Sequence, residues 1–426
     1  MKILIVSNLY PPFQIGGYEA ACKNAAEGLK KRGHDVTVLT SPSHAPGPYI
    51  EEEERSVLRN LKLHFFGPYL GTHEKVTQVN TLEGMVTNFI NTSNLLNAIA
   101  AKKPDCIYFF NIIGIGGLAL LDAVNTLNIP WTLHLMDRVP EILQSGFSKS
   151  VLSIFNAHNG DIYNNGNIIS MSQQLISEIK EMMDGFNFKC PVTFIPGWVD
   201  AKTPITKRAY NSNNHTKFIS AGAIQPHKGI DIIIDASKLL KDHGINNFSV
   251  DIYGEGLVSD YVSISKQKNL ADKIKFKGFR SQQELIEIYK NSDAFLFPTW
   301  EREPFGFAPI EAASAGCIPI ITDRCGASER LVHGVHCIKI KRNPNSLFTQ
   351  MKEFHENKID LNRIGQNAQT ITRDDLSFTS CLSQIEATLQ AIVETNLIAH
   401  KRIPNWSDTN LAFLKHNLAS QLLGLN

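Results

Sequence analysis

The sequence predicts an α/β protein of two Rossmann-like, doubly wound parallel-sheet domains whose ligand-binding strand ends face each other across a cleft. Three observations predict it. Short apolar runs alternate with helical patterns along most of the chain, the pattern of parallel sheets covered by helices. The alternation starts afresh near Lys217, after a polar, turn-rich stretch at residues 200–214 that reads as a linker. A chain of 426 residues is long enough for two such domains, each burying its own core. The expected division is residues 1–200, residues 201–380, and residues 381–426 as C-terminal helices crossing back towards the first domain.

In the first half the strand candidates are residues 3–6, 36–39, 63–65, 106–109, 131–133, 168–169 and 192–194. Between the first two lies a predicted helix over 17–32. Ala21, Ala25 and Leu29 share one face, and Gly33 stands where a left-handed C-cap is wanted. In the second half the candidates are residues 218–220, 249–253, 274–276, 294–297, 318–321 and 337–340. The stretches 41–55, with its run of four glutamates, and 67–78 read as loops, and acceptor choice is expected to lie there. In the tail, Leu411, Leu414, Leu418, Leu422 and Leu425 form one helical stripe. It is expected to pack back on the first domain; a membrane-surface helix is the alternative, with Lys415 the one cation in the span.

Composition narrows the function. With 43% hydrophobic and 19% charged residues and a net charge of +1, nothing suggests a nucleic-acid binder or a disordered or fibrous chain. The seven cysteines are scattered without a CxxC pair, against both a disulfide framework and a zinc knuckle. Residues 3–6 are too short for the apolar core of an export signal, and no apolar run reaches about 18 residues. The expected location is cytoplasmic, with any membrane association peripheral and on the inner face.

Three segments at predicted strand ends carry the chemistry. After the first strand comes Ser7-Asn8-Leu9-Tyr10-Pro11-Pro12-Phe13-Gln14-Ile15-Gly16-Gly17, where paired glycines let backbone approach a ligand and aim helix N–H groups at an anion. A plain tight turn explains it too. It lacks the GxGxxG of a dinucleotide site, which counts against a dehydrogenase. In the second domain, Gly222-Ala223-Ile224-Gln225-Pro226-His227-Lys228-Gly229 brings Lys228 to a helix entrance as a phosphate ligand, although such lysines are commonly just solvated. The third segment, PTWEREPFGFAPIEAASAG over residues 298–316, puts Glu303 in a loop and Glu311 eight residues later in a short helix. Two carboxylates and a lysine suit a ligand bearing both hydroxyls and phosphates.

On these residues the chain resembles the retaining GT-B glycosyltransferases of family 4, the group 1 glycosyl transferases, from residue 11 to about residue 340. The resemblance rests most on EPFGFAPIEAASAGCIPII, then on Gly326 and Glu329 in CGASER, YGEG at 253–256 and FIPGWVD. It implies that Glu311 binds the ribose hydroxyls of the nucleotide and Glu303 the hydroxyls of the transferred sugar, with Lys228 facing the diphosphate. Backbone at Phe305, Gly306 and Phe307 would hold sugar and phosphates, and Gly16 and Gly17 would shape the first-domain wall. His134, in WTLHLMDR, matches the family's histidine near the anomeric centre. The implied activity is transfer of a sugar from a nucleoside diphosphate, of the UDP or GDP class, to a hydroxyl acceptor in surface polysaccharide or glycoconjugate synthesis. No cofactor or metal is expected, since no DxD triplet stands at a strand end. The sequence departs from the family at Ala223, where an arginine is usual, and at Gly197-Trp198; Arg302 and His227 are substitutes for the missing cation. Two other readings stay open: a non-catalytic nucleotide-sugar-binding partner subunit, and a nucleotide-sugar epimerase of the same architecture.

Overall fold

The computed structural model describes every residue except 14, 43–55, 65–73, 185, 201–204, 206, 396–401 and 426, so much of both expected acceptor loops lies outside the described residues. The chain divides into two compact units. Unit 1 comprises Met1–Ser170, Ile176–Ile195 and Leu382–Asn426, and unit 2 comprises Met171–Leu175 and Pro196–Cys381.

Unit 1 holds a parallel sheet of β1 (Lys2–Val6), β2 (Asp35–Thr40), β3 (Val57–Arg59), β4 (Cys106–Phe109), β5 (Trp131–Leu135), β6 (Asn167–Ser170) and β7 (Val192–Phe194), in the order β3-β2-β1-β4-β5-β6-β7. Ile3 stands beside Val36 on one side and Cys106 on the other. Helices cover both faces, so β4 and β5 are buried at every residue, and β4 reads as an unbroken apolar run. The helix Gly17–Lys31 follows β1 and ends at Gly33, whose φ of 88° is left-handed.

Unit 2 repeats the plan with β8 (Thr216–Ala221), β9 (Phe248–Tyr253), β10 (Ile274–Gly278), β11 (Ala294–Phe297), β12 (Ile318–Thr322) and β13 (Ile338–Ile340), in the order β10-β9-β8-β11-β12-β13. Its core joins Phe218, Val250, Leu296 and Ile320 of the sheet to Ile233, Leu347 and Phe354 of the covering helices. Each of these side chains contributes about 1.5–3 kcal/mol by leaving water. In both sheets the strand order reverses beside the first strand, at β1/β4 and at β8/β11. A parallel sheet opens its ligand crevice at that point, outside the carboxyl ends of the strands.

Two expectations are corrected. The third strand is Val57–Arg59 rather than residues 63–65. Leu61 and Leu63 are buried, but they bury an irregular segment tied by Leu61 N–H to Thr40 O and by His64 N–H to Gly114 O. The tail helix Trp406–Leu422 does pack in unit 1, on the helices Phe89–Lys102, Gly117–Thr126 and Lys149–Ile154, but not through its leucines. Leu411, Leu414, Leu418 and Leu422 are exposed, Leu414 by 63%. The docked face carries Asp408, Ala419 and Ser420, with Lys415 Nζ 2.6 Å from Asp122 Oδ2 and Phe413 edge-on to Phe89 at 5.2 Å. Small side chains let the helix axis come close, and the ion pair fixes its register. No helix among the described residues is long and apolar enough to cross a membrane. All seven cysteines are buried free thiols, and burial pushes Cys190 up to about 11 and Cys325, Cys337 and Cys381 up to about 12.

Candidate functional site

The switch point of unit 2 collects three loops. After β8 the chain makes a short 3-10 turn, Pro226–Lys228, closed by Gly229 at φ 73°. A β-carbon at Gly229 would stand 2.2 Å from the Pro298 carbonyl oxygen, so only glycine lets this turn lie against the loop after β11. Trp300 N–H donates to His227 O at 2.9 Å, the His227 and Trp300 rings pack 4.9 Å apart, and Arg342 donates to Pro226 O at 3.1 Å. The YGEG segment runs alongside, with Gly222 N–H bonded to Tyr253 O and Ile224 N–H to Glu255 O.

These contacts bring Lys228 and Glu303 together. Lys228 Nζ forms an ion pair with Glu303 Oε2, which also accepts from the Thr299 hydroxyl at 3.1 Å, and the ammonium lies 5.8 Å from the Phe297 ring centroid. Both side chains are mostly buried, so the pair is poorly screened. The Glu303 loop is held from behind by Gly326 N–H on Glu303 O and Ala327 N–H on Phe305 O, which gives the CGASER segment its part. Glu329 accepts from the backbone N–H groups of Gln173 and Gln174.

Phe305 is buried, with its ring edge-on to Phe307, and Gly306 at φ 95° starts the helix Phe307–Ser314. At Gly306 a β-carbon would meet the Phe297 ring at 2.8 Å. The backbone at 305–307 is therefore the amino end of a helix, where N–H groups and the dipole favour an anion. Glu311 lies one turn further in. Burial raises its carboxyl pKa, against a 2.6 Å hydrogen bond from Gln282 Nε2 that lowers it. Ala223 is exposed in the turn, and Arg302 is an exposed cation beside Glu303; burial and Lys228 both lower the His227 pKa.

Unit 1 presents a different surface at its own switch point. The Gly16 and Ile15 N–H groups donate to Glu19 Oε2, at 2.9 and 3.3 Å, so a carboxylate already caps the helix start. Gly17 opens that helix, and the next residue, Tyr18, donates its hydroxyl to His134 O at 2.9 Å and accepts from Met136 N–H at 2.8 Å. His134 lies one residue before the carboxyl end of β5. Its ring has no exposed surface; it bonds through Nδ1 to the Tyr108 hydroxyl at 2.7 Å and packs against Phe110, and burial pushes its pKa down to about 3.

Residues 203–371 match the family model for glycosyl transferases group 1, and residues 16–159 match the glycosyl transferase 4-like domain. The chain belongs to the group 1 glycosyltransferases. Relatives of this glycosyltransferase include an uncharacterized glycosyltransferase of Methanocaldococcus jannaschii, 25% identical over 82% of this chain and 87% of that protein. A glycogen synthase of Mycobacterium tuberculosis is 24% identical over 78% of this chain and 81% of its own length. Among solved structures, Anabaena HepE in complex with UDP superposes with a TM-score of 0.65 at 20% identity, covering 92% of this chain and all of that one. Sucrose-phosphate synthase of Thermosynechococcus elongatus gives 0.69 at 15% identity, over 92% and 99%. The glycosyltransferase fold is thus GT-B.

Glu19, Tyr18 and Gln282 were missed by the sequence reading. Glu19 had a signal, a glutamate three residues after Gly16 in capping-box spacing. Tyr18 and Gln282 act through tertiary contacts that no local pattern encodes.

Proposed function

We propose that this glycosyltransferase moves a hexose from a nucleoside-diphosphate sugar to an acceptor hydroxyl with retention at the anomeric carbon, in the synthesis of a surface polysaccharide or glycoconjugate. The observation that carries this reading is the Lys228–Glu303 pair beside the amino end of the helix Phe307–Ser314, at the switch point of unit 2. The pair keeps a cation and a carboxylate preorganised while no substrate is bound. A donor would take Lys228 and the amides at 305–307 with its diphosphate, Glu303 with its sugar hydroxyls and Glu311 with its ribose.

In the reaction the bond from the anomeric carbon to the diphosphate oxygen breaks, and the acceptor oxygen bonds to the same face. The acceptor proton passes to the departing phosphate oxygen. Lys228 and the helix amides stabilise the charge on that oxygen, so a divalent metal is not required and a chelator leaves the rate unchanged. The surface of unit 1 shaped by Gly16 and Gly17 serves the acceptor. His134 acts there as a neutral positioning residue, holding the end of β5. UDP is the favoured base, because HepE was solved with UDP and with UDP-glucose.

The test is thermal stabilisation of the protein by UDP, GDP, ADP and their sugars, run beside Glu311→Ala. Stabilisation by one base, lost in the variant, supports the donor site. No response to any of them sinks it, and a response without sugar transfer to any acceptor favours the nucleotide-sugar-binding partner subunit. Sugar transfer to an added acceptor, rather than interconversion of free donor, separates transferase from epimerase.

A further inference from the structure

Unit 1 contains a cavity of about 680 Å³ at the end of its sheet opposite the strand ends just described. It lies at the amino ends of β5, β6 and β7. Ile129 precedes β5, Asn167 is the first residue of β6, and Pro191 precedes β7. The facing wall is the last two turns of the helix Phe378–Thr395. The volume falls within the range of about 300–1,000 Å³ typical of small-ligand sites.

Among the described residues the lining is rich in side-chain amides and carries no charge. Asn125, Asn128, Asn164, Asn165 and Asn167 all line it, with threonine hydroxyls at 193, 388 and 395. Asn125 is already committed, donating to Ile162 O at 2.7 Å and accepting from Trp131 Nε1 at 2.8 Å, so it stiffens the wall. Asn167 is not. It is 94% buried, and its Oδ1 has no hydrogen-bond partner among the described residues. Its oxygen is enclosed by protein, so Asn167 belongs to the floor of the pocket.

We infer that this pocket binds a neutral saccharide. Amides and hydroxyls offer donors and acceptors in pairs, as vicinal hydroxyls require. Ala387, Ala391 and Ile392 supply an apolar strip for the C–H face of a sugar ring. The absence of a cation from this lining disfavours a phosphate or a carboxylate, which sets the pocket apart from the donor site of unit 2. The pocket is an anchoring site, holding part of a longer acceptor or product away from the reacting end.

The experiment is calorimetric titration of the full chain with maltotetraose, cellotetraose and a uronate-containing tetrasaccharide, repeated on Ala391→Trp. Ala391 is exposed on its helix, so the tryptophan fills the pocket without crowding the core. The expected result is binding of a neutral tetrasaccharide in preference to the uronate. Ala391→Trp should weaken it by about tenfold or more, with nucleotide-induced thermal stabilisation unchanged. Absence of any neutral binding, preference for the uronate, or undiminished binding in Ala391→Trp would overturn the inference. Because the nucleotide readout is separate, failure here leaves the donor site standing.

Discussion

The two units place a strand-to-helix turn at the same topological position and arm it with opposite charge. In unit 2 the turn after β8 ends in Lys228, joined to Glu303 and backed by the amino end of a second helix. In unit 1 the turn after β1 ends at Glu19, whose carboxylate occupies the Gly16 amide, and the strand beside it buries an uncharged histidine. A crevice of one shape therefore presents a lysine in one unit and a carboxylate in the other. Fold supplies the crevice, and a few side chains decide what enters it.

The sharpest way to break this contrast is Lys228→Ala. With the cation gone from unit 2, kcat for sugar transfer should fall about 10²–10³-fold, by analogy with removal of one preorganised transition-state donor. An initial-rate assay of nucleotide release checks it, and an unchanged rate would move the phosphate role elsewhere. Glu311→Gln should weaken nucleotide affinity by about 1.5–3 kcal/mol in calorimetry. The raised pKa of Glu311 means that the carboxylate protonates above the usual glutamate value of about 4.3. Wild-type affinity should accordingly fall as pH drops towards that range, while Glu311→Gln shows a flatter profile.

In unit 1 the expected effects fall on stability. His134 has its folded pKa lowered from the ordinary 6.5 to about 3, so below pH 6.5 the unfolded chain binds a proton that the folded chain does not. Stability should then decline by up to about 1.4 kcal/mol per pH unit as pH falls through that window. His134→Gln should flatten this part of the melting profile. The smallest effect expected is that of Tyr18→Phe, which leaves Met136 N–H without its acceptor and costs about 1–2 kcal/mol. Nucleotide affinity should be unchanged, because the proposed nucleotide site belongs to the other unit; a large loss would unite what the comparison separates.

Much of this was legible in the sequence because parallel sheets write themselves as apolar runs. Residues 106–109 and 294–297 coincide with observed strands for that reason. The third strand was not legible: Val57–Arg59 is three residues at a sheet edge, whereas the neighbouring Leu61 and Leu63 are apolar and buried outside any strand. Periodicity found the leucine stripe of the tail but not its orientation, since Ala419 and the Lys415–Asp122 pair set the docked face. At the site, Glu303, Glu311 and Lys228 stood out as charges at strand ends. Their partners Thr299 and Gln282 come from outside the motif or from neutral positions within it, and only the folded chain brings them together. His134 was visible as a residue, but its enclosure by Tyr108, Phe110 and Tyr18 was not.

The seven cysteines have a practical consequence. Thiol reagents attack the thiolate, and every sulfur here is enclosed, with Cys190, Cys325, Cys337 and Cys381 held at about 11–12. The native protein should be silent to maleimides at neutral pH. One cysteine added at a chosen surface position would then be the single addressable handle, and fluorophore or spin-label pairs could follow the two units with no native thiol removed.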